Sequence, residues 1–289
     1  MSNATARHLT PSVRAQLKLD NTARILAIRR NRWISYPRAS EALREFQRLI
    51  ETPERERMPG MLVHGTSDLG KTQIIRKFER KYPPEFDATR GIESRAIISL
   101  QMPATPDQHR FYAALLFELN APHSDRASVS TLERLARDLL RRVRPRLFIV
   151  DEVHNLLSGS YREQRASLNL LKFLANDLKM AMVLVGTDEA RIALQTDPQM
   201  RSRFAPFELP RWRETQEFRQ LLSAFERSLP LKKPSNLAER SIVQYVVGRC
   251  NGLLGQLSRL LTQAAEYAIL DGSECITLSH LKRVKEIGA

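Results

Sequence analysis

The sequence predicts an α/β fold, a mainly parallel sheet sandwiched between helices and followed by a small all-helical domain. Between about Met58 and Pro210, short apolar runs alternate with longer helical stretches, the pattern of strands joined by crossover helices. The apolar runs are continuous, as in strands buried on both faces. After Pro210 only helical periodicity remains. We therefore predict a basic N-terminal segment (1–40), an α/β domain (41–210) and a helical lid domain (211–289).

Five apolar runs are predicted strands, and four amphipathic stretches between them are predicted helices. In chain order the strands are MPGMLVHG, RAIISL, LFIVDE, MAMVLVGT and FAPFELP. The helices are KTQIIRKFERKY, DQHRFYAALLFEL, TLERLARDLLRRV and QRASLNLLKFLANDL. In an open sheet of this type, ligands bind outside the carboxyl ends of the strands. Functional residues are therefore expected directly after the apolar runs.

Four further helical stretches follow the last predicted strand. They are RETQEFRQLLSAFERSL, NLAERSIVQYVVGRC, LGQLSRLLTQAAEYAIL and TLSHLKRVKEI. No convincing strand pattern occurs among them. We expect a helical appendage that is separate from the sheet.

Composition excludes several classes of protein. The 289 residues include 46 Lys plus Arg against 32 Asp plus Glu, a formal net charge of +14. No apolar run approaches the roughly 20 residues that cross a bilayer, and the first ten residues lack the apolar core of a signal peptide. We therefore expect a cytoplasmic protein with no membrane contact. Cys250 and Cys275 lack metal-ligand spacing, which argues against zinc or redox chemistry.

The positive charge is concentrated at the start of the chain. Residues 1–40 hold eight basic side chains and one acid, Asp20, and so carry half of the net charge. Such a segment suits a polyanion such as nucleic acid, but it also suits a solvated tail or a face that pairs with acids elsewhere. For the nucleic-acid alternative, the candidate contacts are Arg24, Arg29, Arg30 and Arg32.

The strongest motif in the chain is a phosphate-binding loop. The sequence GTSDLGKT matches GxxxxGK[ST] in full and falls between a predicted strand and a predicted helix. Backbone N–H groups of such a loop surround phosphates, while the lysine lies near the terminal phosphates and the hydroxyl binds magnesium. The motif predicts ATP and Mg²⁺ as ligands. Its residues are Gly65, Thr66, Ser67, Asp68, Leu69, Gly70, Lys71 and Thr72.

Two acids end a buried strand roughly 80 residues further on. The strand LFIVDE places Asp151 and Glu152 at the carboxyl edge of the sheet. Asp151 is expected to hold the magnesium, and Glu152 to orient and deprotonate the attacking water. The strand MAMVLVGT ends at the same edge, where Thr187 is expected to position water beside Glu152. Thr187 equally suits the N-cap of the helix that begins at Asp188.

Three arginines complete the set of candidate site residues. Arg203 precedes the last predicted strand, where oligomeric ATPases present an arginine to the γ-phosphate of a neighbouring subunit. We expect Arg203 to have this role, with Arg201 as the second candidate. Arg259 lies near the start of a lid helix and either touches phosphate or is an ordinary exposed arginine.

In this order along the chain, the motifs resemble those of an AAA+ ATPase. Five stretches narrow the resemblance to the TniB family of transposon-encoded AAA+ regulators, which are related to TnsC. These stretches are RNRWISYPRASEAL, RMPGMLVHGTSDLGKTQIIRKF, DEVHNLLSGS, VLVGTDEA and SRFAPFELPRW. The resemblance implies an ATPase that binds double-stranded DNA without sequence preference, assembles on it as a ring or filament, and communicates with a DDE transposase. Initiator-type relatives have a Gly-x-x-Arg pattern in the lid. In this sequence Arg259 lies four positions after Gly255 instead of three, so it departs from that pattern by one position.

Two alternatives remain open at this stage. In a nucleotide-switched protein scaffold, the basic segment docks a protein and DNA has no role. A replication initiator or helicase loader shares the fold but normally adds a winged-helix DNA reader. The lid occupies residues 211–289 too fully to leave room for such a reader.

Overall fold

A computed structural model describes residues 6–89, 91–195 and 197–285. The chain forms two compact units. The first, here called the sheet unit, consists of residues 41–66 and 71–209. The second, the helical unit, consists of the described parts of residues 1–40, 67–70 and 210–289.

Three helices precede the first strand. They are α1 (Pro11–Gln16), α2 (Asn21–Arg29) and α3 (Pro37–Glu51). Asp20 caps α2 by accepting a hydrogen bond from the Ala23 N–H, which satisfies one of the unpaired donors at the helix start. The basic segment that the sequence analysis identified is thus largely helical, and Ala6, Leu9 and Ile28 in it are buried.

The sheet unit alternates strands and helices. Its elements from Gly60 to Val143 are β1 (Gly60–His64), α4 (Lys71–Glu79), β2 (Glu85–Asp87), β3 (Ile92–Ser94), β4 (Ile97–Gln101), α5 (Gln108–Glu118) and α6 (Val129–Val143). Those from Leu147 to Glu208 are β5 (Leu147–Asp151), a 3-10 helix (Val153–Ser158), α7 (Tyr161–Asp177), β6 (Ala181–Gly186), α8 (Asp188–Gln195), α9 (Pro198–Arg203) and β7 (Phe204–Glu208).

Five strands form a parallel sheet in the order β4-β5-β6-β1-β7. Every residue of β1, β5 and β6 is buried, as their continuous apolar sequences predict. The five predicted strands and the α/β fold class are therefore confirmed. Because all five strands run in the same direction, His64, Asp151 and Gly186 end at one edge of the sheet, here called the carboxyl edge.

The sequence analysis missed the antiparallel hairpin of β2 and β3. Each of its strands is three residues long, and the sequences EFD and IES contain no apolar run. A strand pattern is readable only when several alternating or continuous apolar positions occur. The hairpin therefore left no signal.

The helical unit continues after Pro210 with α10 (Gln216–Arg227), α11 (Arg240–Cys250), α12 (Leu254–Leu270) and α13 (Leu278–Arg283). The predicted absence of strands in 211–289 holds for residues 211–285, the part that the structure describes. Leu260, Leu261 and Ala264 of α12 are fully buried, so α12 lies in the core of this unit. In the described residues, no helix combines the length and the apolar character that crossing a bilayer requires.

Candidate functional site

The phosphate-binding loop joins β1 to α4, as its motif requires. Gly65 and Gly70 have φ angles of 151° and 85°, which side chains with a Cβ rarely adopt. Lys71 begins α4 and is buried, and its Nζ donates to the carbonyl oxygens of Gly65 at 2.7 Å and Thr66 at 2.9 Å. The lysine charge is thus held against the backbone at the start of the loop.

Thr72 and Asp151 meet although they are 79 positions apart in the sequence. The Thr72 hydroxyl donates to Asp151 Oδ2 at 2.8 Å. The other carboxylate oxygen, Oδ1, accepts the Glu152 N–H at 2.9 Å. Asp151 is only 8% exposed, so its position is tightly defined.

These two oxygen-bearing side chains suit magnesium. Mg²⁺ prefers hard oxygen ligands and usually takes one or two from the protein, with the rest from phosphates and water. Within the described ranges, no group of three or more His, Cys, Asp or Glu side chains is arranged to hold a metal by itself. Thr72 and Asp151 therefore fit a magnesium ion that arrives with a nucleotide.

Glu152 directly follows Asp151 at the carboxyl edge. It has a φ of 55°, a left-handed conformation that costs a non-glycine residue about 1 kcal/mol. Its Oε2 lies 3.2 Å from Nε2 of His154, and its side chain is 35% exposed. Water can therefore reach the carboxylate. The sequence analysis missed His154, because a histidine two residues after an acidic strand end has no recognised pattern.

Thr187 follows β6 and precedes α8, so it lies at the same edge as Asp151. Its hydroxyl is 3.4 Å from Glu189 Oε2, a contact with a side chain near the helix start. The expected water-positioning role and the capping role both remain predictions. Thr187 directly precedes Asp188, the first residue of α8.

A histidine–aspartate pair at the carboxyl edge was not predicted. His64 is the last residue of β1 and is 4% exposed, and its Nδ1 lies 2.7 Å from Oδ1 of Asp188 at the start of α8. The pair fixes the strand end directly before Gly65. The sequence signal that could have identified His64 is a polar residue at the end of an otherwise apolar strand.

The two arginine candidates differ in exposure. Arg203 is 9% exposed and donates to the Met58 carbonyl at 3.3 Å and to Asn176 Oδ1 at 2.5 Å. Burial, together with the nearby Arg57, lowers the pKa of Arg203. A residue that contacts another subunit must be exposed. Arg201, two positions before Arg203, is exposed. Burial and these hydrogen bonds favour Arg201 over Arg203 for a contact with a neighbouring subunit, and the role of either arginine stays a prediction.

Within the helical unit, the loop segment 67–70 contacts α12. Arg259 Nη2 lies 2.6 Å from Asp68 Oδ2, and the Gly255 N–H donates to the Asp68 carbonyl at 2.9 Å. A Cβ on Gly255 would lie 1.9 Å from Asp68 Oδ1, so a larger residue there would displace the Asp68 carboxylate. Arg259 is thus not an ordinary exposed arginine, because it pairs with an acid of the phosphate-binding loop.

The structure does not support Arg24 as a nucleic-acid contact. Its guanidinium is 1% exposed, forms a two-pronged ion pair with Glu274 and donates to the Pro230 carbonyl at 2.7 Å. Burial opposes ionisation of Glu274, but the hydrogen bonds from Arg24 and Lys232 outweigh it and lower the pKa of this carboxyl. Arg24 therefore stabilises the helical unit.

The other three predicted nucleic-acid contacts differ in availability. Arg29 is 59% exposed but binds both oxygens of Glu266, at 2.8 and 2.7 Å. Arg32 donates to backbone carbonyls of Ile28 and Ser228, and burial lowers its pKa to about 10. Arg30 is exposed, and its side chain has no partner among the described residues. Only Arg30 offers an uncommitted charge.

Free cations occur instead at the opposite edge of the sheet, where the strands begin. A cleft of about 680 Å³ in the sheet unit is lined by Arg141, Arg144, Arg146 and Lys179, and also by Glu54 and Asp177. We call it the amino-edge cleft. It lies beside the first residues of β5 and β6. The sequence analysis treated this stretch only as the end of an amphipathic helix.

Comparisons with known proteins agree with the fold and the motifs. The family model described as bacterial TniB protein matches residues 24–214. None of the curated proteins matches the chain.

Solved structures with the same fold include origin-recognition proteins. The Aeropyrum pernix ORC2 protein, in ADPNP–ADP complexes, has a TM-score of 0.63 at 16% identity, covering 89% of this chain and 70% of that one. Drosophila ORC bound to DNA gives 0.59 at 16% identity, covering 98% and 68%. A Walker-type ATPase of Pyrococcus abyssi gives 0.56 at 14% identity, covering 86% and 76%. At these identities the likeness shows the AAA+ fold alone.

Proposed function

Because the chain belongs to the TniB family, we propose that it is an ATP-dependent transposition regulator that oligomerises on target DNA and recruits or activates a DDE transposase. The hydrolytic part of this proposal rests on one observation, the hydrogen bond between Thr72 and Asp151 at 2.8 Å. That bond joins the end of the phosphate-binding loop to the acidic end of β5. Few functions besides nucleoside triphosphate chemistry require these two elements to meet.

Each residue at the carboxyl edge then has a defined task. Lys71 and the loop N–H groups bind the β- and γ-phosphates. Thr72 and Asp151 would hold magnesium, which would screen the phosphate charge during transfer. Glu152 takes a proton from the attacking water, which its partly exposed carboxylate can reach. Thr187 helps to position this water.

The proposal includes self-association. An exposed arginine at the end of α9 suits a contact with the nucleotide of a neighbouring copy, where its planar charge stabilises the transferring group. Arg201 meets the requirement for exposure. Isolated monomers are then expected to hydrolyse ATP poorly.

The DNA-binding part rests on the net charge of +14 and on family membership. The solved structures that are similar to this chain include Drosophila ORC bound to DNA. Phosphate contacts supply affinity without reading sequence. We therefore propose double-stranded DNA as the partner, bound without sequence preference.

Fluorescence anisotropy tests the whole proposal. Labelled random duplexes are titrated with protein in the presence of ATP, ADP or no nucleotide, over a series of salt concentrations. We expect binding that depends on ATP and log affinity that falls by about 0.9 per phosphate contact for each unit of log salt. Negative-stain images with and without DNA should show assemblies only when ATP is present. Affinity that is the same in all three nucleotide states would refute the transposition role and leave the ATPase fold intact.

The same titration separates the alternatives. A replication initiator that recognises an origin sequence would prefer that duplex over random competitors. A nucleotide-switched scaffold would bind duplexes weakly and without regard to nucleotide. Equal competition by unrelated duplexes supports the regulator.

A further inference from the structure

An acid inside a phosphate-binding loop is electrostatically unfavourable for phosphate. Asp68 occupies the third variable position of GTSDLGKT, and its carboxylate repels the negative charges of a triphosphate in the same loop. It also has a φ of 69°, a left-handed conformation that glycine would adopt without cost. Phosphate binding alone gives no reason for an aspartate at this position.

The contacts of Asp68 supply a reason. Its carboxylate pairs with Arg259 at 2.6 Å and its carbonyl accepts the Gly255 N–H at 2.9 Å. The side chains of both ion-pair partners are about one-third exposed, so the pair is accessible to a competing anion. Asp68 thus connects the loop segment 67–70 to the first turns of α12.

Arg259 also retains unused capacity to bind an anion. Its Nε is shielded from solvent and has no hydrogen-bond partner among the described residues. A buried N–H donor without a partner is unfavourable, because it has lost its hydrogen bonds to water. A phosphate oxygen can satisfy this donor, and the planar guanidinium suits two-pronged phosphate binding.

We propose that Asp68 is an internal competitor for Arg259, which exchanges the carboxylate for a nucleotide phosphate when ATP binds. The proposal rests on the proposed binding of ATP to this loop. In the nucleotide-free protein, the ion pair holds α12 against segment 67–70. Binding of ATP breaks the pair, so part of the binding energy is used to release α12.

Asp68→Asn tests the competition. The probe is a fluorescent, non-hydrolysable ATP analogue with Mg²⁺, and we expect its affinity to rise about tenfold, because one charge-assisted hydrogen bond no longer competes. Asp271→Asn is the matched control, since Asp271 forms an ion pair with His280 in the same unit. The control should leave affinity unchanged. An unchanged or lower affinity in Asp68→Asn would overturn the proposal.

The same change in an Arg259→Ala background tests the exchange itself. If the gain comes from freeing Arg259, Asp68→Asn should give little gain when Arg259 is absent. An equal gain in both backgrounds would mean that only the loop charge matters, and the exchange would be wrong.

Hydrogen exchange provides a readout that needs no nucleotide. Without ATP, amides 254–257 should exchange faster in both Asp68→Asn and Arg259→Ala than in the unaltered protein, because the ion pair no longer holds α12. Unchanged exchange in both variants would refute the restraint on α12. A third outcome is that exchange accelerates in the variants but the unaltered protein does not bind the analogue. The ion pair would then restrain α12 as inferred, while the proposed ATP binding would be refuted.

A second and independent observation concerns the amino-edge cleft. Asp177 in this cleft is paired with Arg137 at 2.8 Å and Arg141 at 3.0 Å, and hydrogen bonding to Arg137 lowers its pKa despite the opposing effect of burial. In contrast, Arg144, Arg146 and Lys179 are exposed, and their side chains have no hydrogen bond or ion pair with the described residues.

The backbone at two of these cations also points to a role for their side chains. Arg144 and Lys179 have φ angles of 55° and 46° directly after or close to the ends of α6 and α7. Glycine is the usual residue at such helix ends. A cation there does interact favourably with the helix dipole, but Arg146 lies at neither helix end and needs another explanation.

We infer that the amino-edge cleft binds the phosphate backbone of duplex DNA. This inference rests on the proposed DNA binding and names its surface. Among the described residues, the cleft has three cations without a partner and one acid without a partner, Glu54. Arginine favours phosphate because its fork of N–H donors matches two oxygens.

The salt dependence of duplex binding tests this surface. A triple variant with Arg144→Gln, Arg146→Gln and Lys179→Gln should lower the slope of log affinity against log salt by about 2–3, since each lost contact removes about 0.9. The control replaces Arg126, Arg134 and Arg162, three exposed arginines of the same unit, by Gln. Equal slopes for the variant and the control would overturn the inference. Absence of salt-dependent binding in the unaltered protein would refute the proposed DNA binding instead.

Discussion

The two edges of the parallel sheet use polar side chains in different ways. At the carboxyl edge they bind one another: Thr72 donates to Asp151 at 2.8 Å and His64 pairs with Asp188 at 2.7 Å. At the amino edge, the exposed side chains of Arg144 and Arg146 have no partner among the described residues. The strands between the edges are only five or six residues long, roughly 17–20 Å.

The difference follows from what each edge has to do. Chemistry on a phosphate requires groups that are fixed before the substrate arrives, because reorganisation during the reaction raises the barrier. Attraction of a polyanion requires only exposed charge. The bonds among its polar side chains therefore suit the carboxyl edge to the proposed chemistry, while the exposed cations Arg144, Arg146 and Lys179, which have no partner among the described residues, suit the amino-edge cleft to the proposed binding.

A large effect on hydrolysis is expected for the arginine that we propose to act between subunits. Arg201→Ala should lower hydrolysis by about 10³-fold, the lower end of what such arginines contribute. Phosphate release by mixtures of Arg201→Ala and Lys71→Ala proteins checks the mechanism, because mixed interfaces pair an intact loop with an intact arginine. Arg203→Ala is the comparison, and it should lower thermal stability instead. Failure of every mixture to regain activity, while the two proteins still co-assemble, would contradict action in trans.

Glu152→Gln should separate binding from chemistry at the carboxyl edge. Loss of a general base lowers the rate by about 10²–10⁴-fold, while the phosphate-binding groups remain. Phosphate release and analogue binding are measured on the same protein. Glu118→Gln, at an exposed position of α5, is the control and should change neither. Equal loss of binding and hydrolysis in Glu152→Gln would remove Glu152 from the role of base.

Lys71→Ala should reduce ATP affinity by about 100-fold, the upper range for a charge-assisted hydrogen bond. Arg144→Ala removes a cation from the amino edge and should leave that affinity unchanged. Titration with the fluorescent analogue measures both. Similar losses in the two variants would show that nucleotide binding depends on net charge rather than on fixed groups, and the two edges would then be equivalent.

The smallest effect on hydrolysis is expected for the buried ion pair of the helical unit. Arg24→Ala should leave activity at permissive temperature intact but cost about 3 kcal/mol of unfolding free energy, because Glu274 stays buried without its partner. Arg29→Ala should cost much less unfolding free energy, since the Arg29 guanidinium is exposed to solvent. Denaturant unfolding measures both. Equal costs would contradict the structural role of Arg24.

This buried pair also predicts a dependence on pH. The folded-state pKa of Glu274 lies below the ordinary value of 4.5. The stabilisation is therefore complete above about pH 4.5 and is lost as the pH falls through the lower, folded-state pKa. The gap in unfolding free energy between the unaltered protein and Arg24→Ala should narrow below pH 4.5. A constant gap would contradict the ionised pair.

Local patterns were sufficient for part of the site. The loop Gly65–Thr72 and the two acids that end LFIVDE could be identified from the sequence, because each role depends on residue types at a few consecutive positions. The side-chain pairs that link separate elements could not be identified from the sequence. His64 and Asp188 lie 124 positions apart, and Asp68 and Arg259 lie 191 apart, so no short pattern relates them.

The amino-acid sequence by itself determined the five parallel strands, the helical region after Pro210, the phosphate-binding loop and the identity of its lysine and hydroxyl. Buried strands require consecutive apolar residues, and phosphate-binding loops require a motif of consecutive positions. Both can therefore be identified from a single sequence. Tertiary structure alone decided which charges are free. Arg24 and Arg144 look alike in the sequence, but Glu274 neutralises one, while the other stays exposed without a partner among the described residues. The availability of a charge depends on what folds against it, and distant residues determine that.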